Sequence, residues 1–521
     1  MTKLTSILIL FSSLLVWNVS LSQQVYFNSR YDFFSLAETA SSTVVAGSNY
    51  LVIGGTRDTT TSDLQVAILT IDSIGNIVSK KSFGKSGLDY YHGLSGSLIK
   101  TFDGGFALGG SVDIGSVSNT MLWRFDKNMD TLWTKTYGTT VYSQIGYQCK
   151  QTQDKGFVIV GITDKSGDNN ILLIKTDSLG NLEWDTTYGG SGIENGTYVN
   201  LCDDGGYIIG GNTTSFGMGE ADTYILKTDS VGNVQWSKTF GSIYWDCVAN
   251  VKQTSDGGYI IGTCLAQFIL SGSYTQSKAR IIKLDSAGSV EWDTLYGPAR
   301  FLTGIINIYE LQDGSFISVG QRTDNNGTPA GNGFSEGIVM KISAQGDSLW
   351  YRVYENLTGE FSQNYLLDIK PTTDGGIVSA GFVIPSDPSD TGTQDMWVMK
   401  LDSCGCAYAG CDSACQQLVG IEETPYQASL TLKIYPNPAS SMATVSIPNN
   451  GEGTRPSYAN ASVGENYHLS IYDITGREVE SYEVNHQPTL TINTQELGTG
   501  LYFLQLKQEG RMLGSGKLVV E

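Results

Sequence analysis

Residues 204–241 read DGGYIIGGNTTSFGMGEADTYILKTDSVGNVQWSKTFG, a series of strand-length apolar runs parted by turn residues. Asp204-Gly205-Gly206 is a tight turn, since glycine takes the positive φ that a Cβ disfavours. Residues 207–210 and 224–227 have strand composition, and Asp229-Ser230-Val231-Gly232-Asn233 turns the chain into a further run carrying Trp236 and Phe240. The pattern is written along most of the chain. Its DSxG aspartate recurs as Asp72, Asp126, Asp177, Asp229, Asp285 and Asp402, with Ser343 in a seventh copy, at intervals of 51 to 59 residues. That period suits a four-stranded blade and exceeds the coil of a β-helix, so the expectation is a β-propeller of seven blades.

Seven residues after each of these positions stands Trp133, Trp184, Trp236, Trp292 or Trp350, with Ser79 in the first unit and no Trp after Asp402. The last unit therefore lacks its fourth strand. Phe27 and Tyr31 stand four apart like Trp184 and Tyr188, so an N-terminal strand is expected to complete the last blade and leave no open sheet edge. The five tryptophans are expected to pack between blades. The Asp-to-Trp spacing resembles the tryptophan-docking repeats of quinoprotein propellers, but it is one residue shorter between Asp and Gly, and there is no adjacent cysteine pair and no CxxCH haem site.

The composition agrees with this reading. Sixty-two glycines among 521 residues, only 16% of them charged, with Ala-Leu-Glu-Lys runs nearly absent, describe an all-β protein. The formal charge of −20 and the lack of a basic run exclude a nucleic-acid partner, whose phosphates need clustered Lys and Arg. Residues 1–22 carry Lys3, an apolar stretch over residues 7–17, and Ser20-Leu21-Ser22 before Gln23, the form of a cleaved signal peptide. No later run reaches the roughly 20 apolar residues of a membrane span, so the mature chain is expected to have none.

After Asp402, Cys404, Cys406, Cys411 and Cys415 crowd into a linker, residues 404–429. Their spacing is not that of a zinc site, and an exported chain favours disulfides. With Cys149, Cys202, Cys247 and Cys264 the count is an even eight, the pairing open. From residue 430 to 521 alternating strands resume, enough for a small antiparallel β-sandwich. Four ordered motifs lie there: Tyr435-Pro436-Asn437-Pro438; Tyr472-Asp473 with Gly476-Arg477; Gly500-Leu501-Tyr502-Phe503; and Lys517-Leu518-Val519-Val520. In these motifs the segment resembles the type A sorting domain of the type IX secretion system. It departs from that family in an insertion at residues 449–465 and a terminal Glu521. The resemblance implies that the partner is the type IX machinery, that Tyr435 to Pro438, Asp473, Gly476, Arg477, Gly500, Tyr502 and Lys517 form the address, and that the cargo is secreted or held on the outer surface.

Residues for catalysis are scarce. Of three histidines only His92 falls in the propeller segment, residues 23–403, which leaves no Ser-His-Asp triad. Loop acids such as Glu194, Glu220, Asp246 and Glu360 keep a carbohydrate-active enzyme as the alternative. Asp126-Lys127-Asn128-Met129-Asp130 has the first spacings of a calcium loop but lacks its Gly and bidentate Glu, so it reads as a hairpin turn. The expected function is binding or a structural role, toward a glycan or a surface protein, with no catalytic residue, metal or cofactor. Residues 265–278, 323–336 and 384–394, with Phe268, Tyr274 and Phe334, are expected to form loops on one rim.

Overall fold

The computed structural model describes residues 26–521 except 34–36, 218–219, 269–274, 298–300, 325–333, 358–361, 387–393, 409–423, 426–429, 447–466, 474–476, 485–488 and 509–510. The expected signal peptide, Cys411, Cys415, Gly476, Glu360, Tyr274, the 449–465 insertion and the middles of the three expected rim loops lie outside the described residues. The described chain is all-β, and its one helical element is the 3-10 turn Thr494–Glu496.

Residues 204–241 supply the last three of four strands, Glu194–Leu201, Tyr207–Thr213, Asp222–Thr228 and Val234–Phe240, paired antiparallel in sequence order. Groups of this kind open with the first strands Ser42–Ala46, Leu98–Lys100, Gln144–Gln151, Glu194–Leu201, Asn250–Gln253, Phe301–Glu310 and Gln363–Pro371. The group opening at Gln363 takes its fourth strand from the start of the chain. Phe27–Tyr31 pairs antiparallel with Asp395–Leu401, Phe27 opposite Lys400 and Tyr31 opposite Met396.

First strands of different groups meet. Asp368 accepts hydrogen bonds from the Thr43 N–H (2.8 Å) and the Ser42 hydroxyl (3.2 Å), and Lys252 donates to Asn307 Oδ1 at 2.8 Å. Asn307 Nδ2 also reaches Ser95 Oγ, on the opposite side, at 2.9 Å. The first strands therefore surround an axis, and the architecture is a β-propeller. Apolar side chains of facing sheets fill the space between groups, as where Val158, Val160, Ile171 and Leu173 meet Val199, Ile209 and Leu226. Each such burial contributes roughly 1.5–3 kcal/mol.

The rim loop expected at residues 265–278 is in part a hairpin. The ladder of Tyr259–Phe268 with Thr275–Leu284 runs on through Leu265 opposite Lys278 to Phe268 opposite Thr275. Cys264 on that strand is bonded to Cys247. The even count of cysteines does not mean that all are paired: Cys404 and Cys406 are disulfide-bonded, whereas Cys149 and Cys202 are free, buried thiols. Burial pushes both thiols up, to about 12, so they are poor nucleophiles.

Beyond the propeller, Leu430–Thr431, Arg511–Val520, Gly500–Gln508, Tyr467–Tyr472 and Glu478–Val484 form one sheet, and Lys433–Tyr435, Met442–Ser446 and Thr489–Asn493 another. Both contribute to one core that includes Val445, Leu469, Ile471, Ile492, Leu504 and Leu518. In the linker, Thr424–Pro425 pairs with Leu295 and Thr294, on the fourth strand Val290–Tyr296.

Candidate functional site

The DSxGN segments are turns closed by their own aspartate. Asp229 Oδ1 accepts the N–H groups of Val231 (3.0 Å) and Asn233 (2.8 Å), and its backbone N–H bonds to Asn233 O at 2.9 Å. Gly232 takes φ +87°, and the aromatic pair of the preceding group closes on it. A Cβ there would lie 3.1 Å from the Trp184 ring, and Tyr188 donates its hydroxyl to Gly232 O at 2.6 Å. The same clasp joins Trp133 and Tyr137 to Gly180, Trp292 and Tyr296 to Gly346, and Trp350 and Tyr354 to Gly405. Trp236 covers Gly288 without a hydroxyl partner, Phe240 standing where the others have Tyr. The N-terminal strand repeats the arrangement, with Phe27 against Gly75 and the Tyr31 hydroxyl 2.8 Å from Gly75 O.

A second repeated pair escaped the sequence reading. The carboxylate of each DGG-type turn meets a buried cation on the third strand of its own sheet: Asp154 with Lys175 (2.8 Å), Asp204 with Lys227 (2.7 Å), Asp256 with Lys283 (2.9 Å) and Asp374 with Lys400 (3.0 Å). Arg124 takes the place with Asp103, and Lys341 with Asp313. Burial would raise the Asp256 carboxyl, but hydrogen bonds from Lys283, Thr254 and the Gly258 N–H outweigh it and hold Asp256 at about 2. The signal is in the sequence, as a Lys or Arg two residues before each DSxG position from Asp126 onward.

Of the residues considered for catalysis, His92, Glu194 and Asp246 are engaged in scaffolding. His92 has Ser41 Oγ at 2.7 Å from Nδ1 and Thr39 Oγ1 at 3.1 Å from Nε2, and burial lowers it to about 4, so it is neutral. Glu194 is buried, accepting from the Gly190 N–H (2.8 Å) and the Thr213 hydroxyl (2.7 Å). Asp246 accepts from the N–H groups of Ser242 and Ala266, and burial raises it to about 7. Glu220 is exposed. Asp126 closes a turn through the N–H groups of Asn128 and Asp130. Among the described residues, Asp32, Glu38 and Asp395 bring carboxylate oxygens within 4.8 Å of one another, a spacing open to a cation, although Arg30 already pairs with Asp395 at 3.1 Å.

A cavity of about 260 Å³ opens on the axis. Register places Val44, Ile99, Lys150, Asn200, Lys252, Tyr309 and Lys370 at equivalent positions of successive first strands, opposite Leu51, Ala107, Val158, Ile208, Ile260, Ile317 and Val378. Five of this tier, Val44, Ile99, Lys150, Tyr309 and Lys370, line the cavity with Leu98, Gly96, Lys100 and Pro371. Lys370 donates to both Asp368 oxygens, at 2.7 and 2.8 Å. Lys252 sits 2.9 Å above the Tyr309 ring centroid and donates to Asn307 Oδ1. The contact of Asn307 with Ser95 closes the axis beside this tier.

In the C-terminal region the dispersed motifs meet. Asn437, between two cis prolyl bonds, donates its amide to Lys517 O (2.7 Å) and accepts from the Val519 N–H (2.8 Å), while Ala439 N–H bonds to Val519 O at 2.8 Å. Asp473 closes a turn onto Arg477, its carboxylate 3.1 Å from Nε. Gly500 faces Val520 in the terminal hairpin, the Tyr502 hydroxyl donates to Gly498 O at 2.7 Å, and Lys517 Nζ bonds to Gly217 O of the propeller. A family profile described as a secretion system C-terminal sorting domain matches residues 433–521. This segment is a type IX secretion sorting signal.

With the sorting domain the chain is exported by the type IX system to the cell surface or the extracellular space. Among the described residues no helix is long and apolar enough to cross a membrane. No curated protein matches the chain. Solved structures similar to it include the WD40 domain of Neurospora crassa Pan2, at 10% identity and TM-score 0.40 over 69% of this chain and 88% of that one. The β-propeller domain of the Trilobed protease from Pyrococcus furiosus aligns at 8% identity and TM-score 0.39, over 73% and 95% of the two chains. An α-L-arabinofuranosidase from Fusarium graminearum aligns at 10% and TM-score 0.37, over 72% and 96%.

Proposed function

We propose that the chain is a type IX cargo whose propeller is a binding module for a glycan or another surface protein. In this reading residues 1–22 are a signal peptide, residues 23–403 a seven-bladed propeller closed by its N-terminal strand, residues 404–429 a cysteine-bearing linker and residues 430–521 a β-sandwich sorting domain. Trp133, Trp184, Trp236, Trp292 and Trp350 hold adjacent blades together, and Tyr435, Pro436, Asn437, Pro438, Asp473, Gly476, Arg477, Gly500, Tyr502 and Lys517 form the address. The observation that carries the binding role is the axial cavity, lined by apolar side chains and a few polar groups in the manner of a ligand site. The repeated Asp, Lys, Trp and Tyr residues, His92 and the buried acids are meanwhile occupied in holding the scaffold. The test incubates the mature chain with a glycan array and with a panel of polysaccharides. Retention without turnover is expected; release of reducing sugar would overturn the reading.

A further inference from the structure

The axial tier concentrates positive charge in a protein whose formal charge is −20. Lys150, Lys252 and Lys370 occupy equivalent positions on three first strands, and Asp368 is the carboxylate that faces them. That carboxylate is already taken, both of its oxygens by Lys370 and one also by the Thr43 N–H. Lys252 has only neutral acceptors, Asn307 Oδ1 and the Ile308 carbonyl, and the Tyr309 ring. Lys150 Nζ makes no hydrogen bond to any described residue, yet lines the cavity.

Gathering like charges away from bulk water costs free energy unless something of opposite sign offsets it. The fold does not require them here. At the same register Asn200 serves with an uncharged side chain, and Val44 and Ile99 with apolar ones. The cations are therefore better explained by what they hold than by what they support. The walls beside them, Val44, Leu98, Ile99 and Pro371, are apolar and suit a hydrocarbon.

We propose that the axial cavity binds a small organic carboxylate, its anionic group seated on Lys150 with Lys370, and its apolar body against Val44, Leu98 and Ile99. The proposal rests on the reading of the propeller as a binding module and names the chemistry of its ligand. The ammonium of Lys150 must be charged to act. Burial lowers it to about 8, with Lys370 pushing the same way and Cys149 and Asp368 opposing, so in the free protein it loses its proton as pH rises through that value. Lys100 and Tyr309 also line the cavity, and Lys252, on the neighbouring strand of the tier, lies close enough to Lys150 for the two charges to repel. Carboxylate affinity should fall as pH rises above 8.

The experiment is calorimetric titration of the mature full-length chain with hexanoate, acetate and inorganic phosphate at pH 7 and pH 9.5. Hexanoate is expected to bind at one site, more tightly than acetate, and more tightly at pH 7 than at pH 9.5. Lys150→Met should weaken hexanoate at least tenfold while leaving the unliganded melting temperature unchanged or raised, since it removes a partly buried charge that makes no hydrogen bond to any described residue. Lys150→Arg, which keeps the charge, should bind within a few-fold of the parent chain. Undiminished affinity in Lys150→Met, or phosphate binding in preference to hexanoate, would overturn the proposal. Absence of hexanoate binding together with retention on the glycan array would overturn the carboxylate site alone and leave the binding module standing.

Discussion

At the turn that elsewhere puts a glycine under an aromatic ring, the second blade has Met129, with φ +62°, and the position that would supply the ring is Ser79. The two departures occur at one interface. Met129 is buried among Phe125 and its neighbours, with Phe83 packed against that cluster, so its side chain fills room that an indole fills at the other clasps. The two positions should then be energetically coupled. Ser79→Trp alone is expected to overpack the interface and cost about 1–3 kcal/mol. Met129→Gly alone should leave a cavity and cost about 2–4 kcal/mol. The double variant should be more stable than the sum of the two by about 1–3 kcal/mol in urea unfolding, and additivity within about 0.5 kcal/mol would refute the compensation. Ser79 is visible in the sequence as a missing Trp, and Met129 as a missing Gly. That each answers the other is not, because the residues lie on different blades and meet only when the ring forms.

The elements differ in how much of them is written locally. The DSxGN turns could be read because every group that closes them is within four residues: Asp229 satisfies Val231 and Asn233, and Gly232 supplies the positive φ. The third-strand lysines do not stand out in the sequence, because Lys227 looks like any polar residue of an alternating strand, its partner Asp204 being a full hairpin away. Lys150, Lys252 and Lys370 become one feature only after three first strands are aligned. The N-terminal strand lies between these cases, since its Phe27 and Tyr31 copy the aromatic spacing of a fourth strand while its partner is far along the chain. Besides pairing with Asp395–Leu401, it covers Gly75 and gives Trp397 Nε1 an acceptor in Asn28 Oδ1 at 2.6 Å. Phe27→Ala should cost about 3 kcal/mol. Removal of residues 23–32 should cost more and lower the unfolding midpoint of the whole propeller in urea, whereas an unchanged midpoint would show the strand to be an appendage.

On the scale of the whole molecule, folding and delivery use separate cores: the sorting domain buries its own apolar residues, and the blades pair without it. A chain ending at Gln427 is therefore expected to fold yet remain in the periplasm, as fractionation would show, and surface delivery equal to that of the full chain would contradict the assignment. The pairing of Phe27 with Lys400 also orders events in time. A chain threaded outward from its N-terminus presents the first strand long before its partner exists, so the intervening blades can assemble while that strand waits unpaired. Contacts of such sequence separation form late. The ring thus locks only once residues just ahead of the linker have emerged, which makes completion of the fold and arrival of the sorting signal nearly simultaneous, and leaves little interval in which a half-closed cargo could carry a readable address.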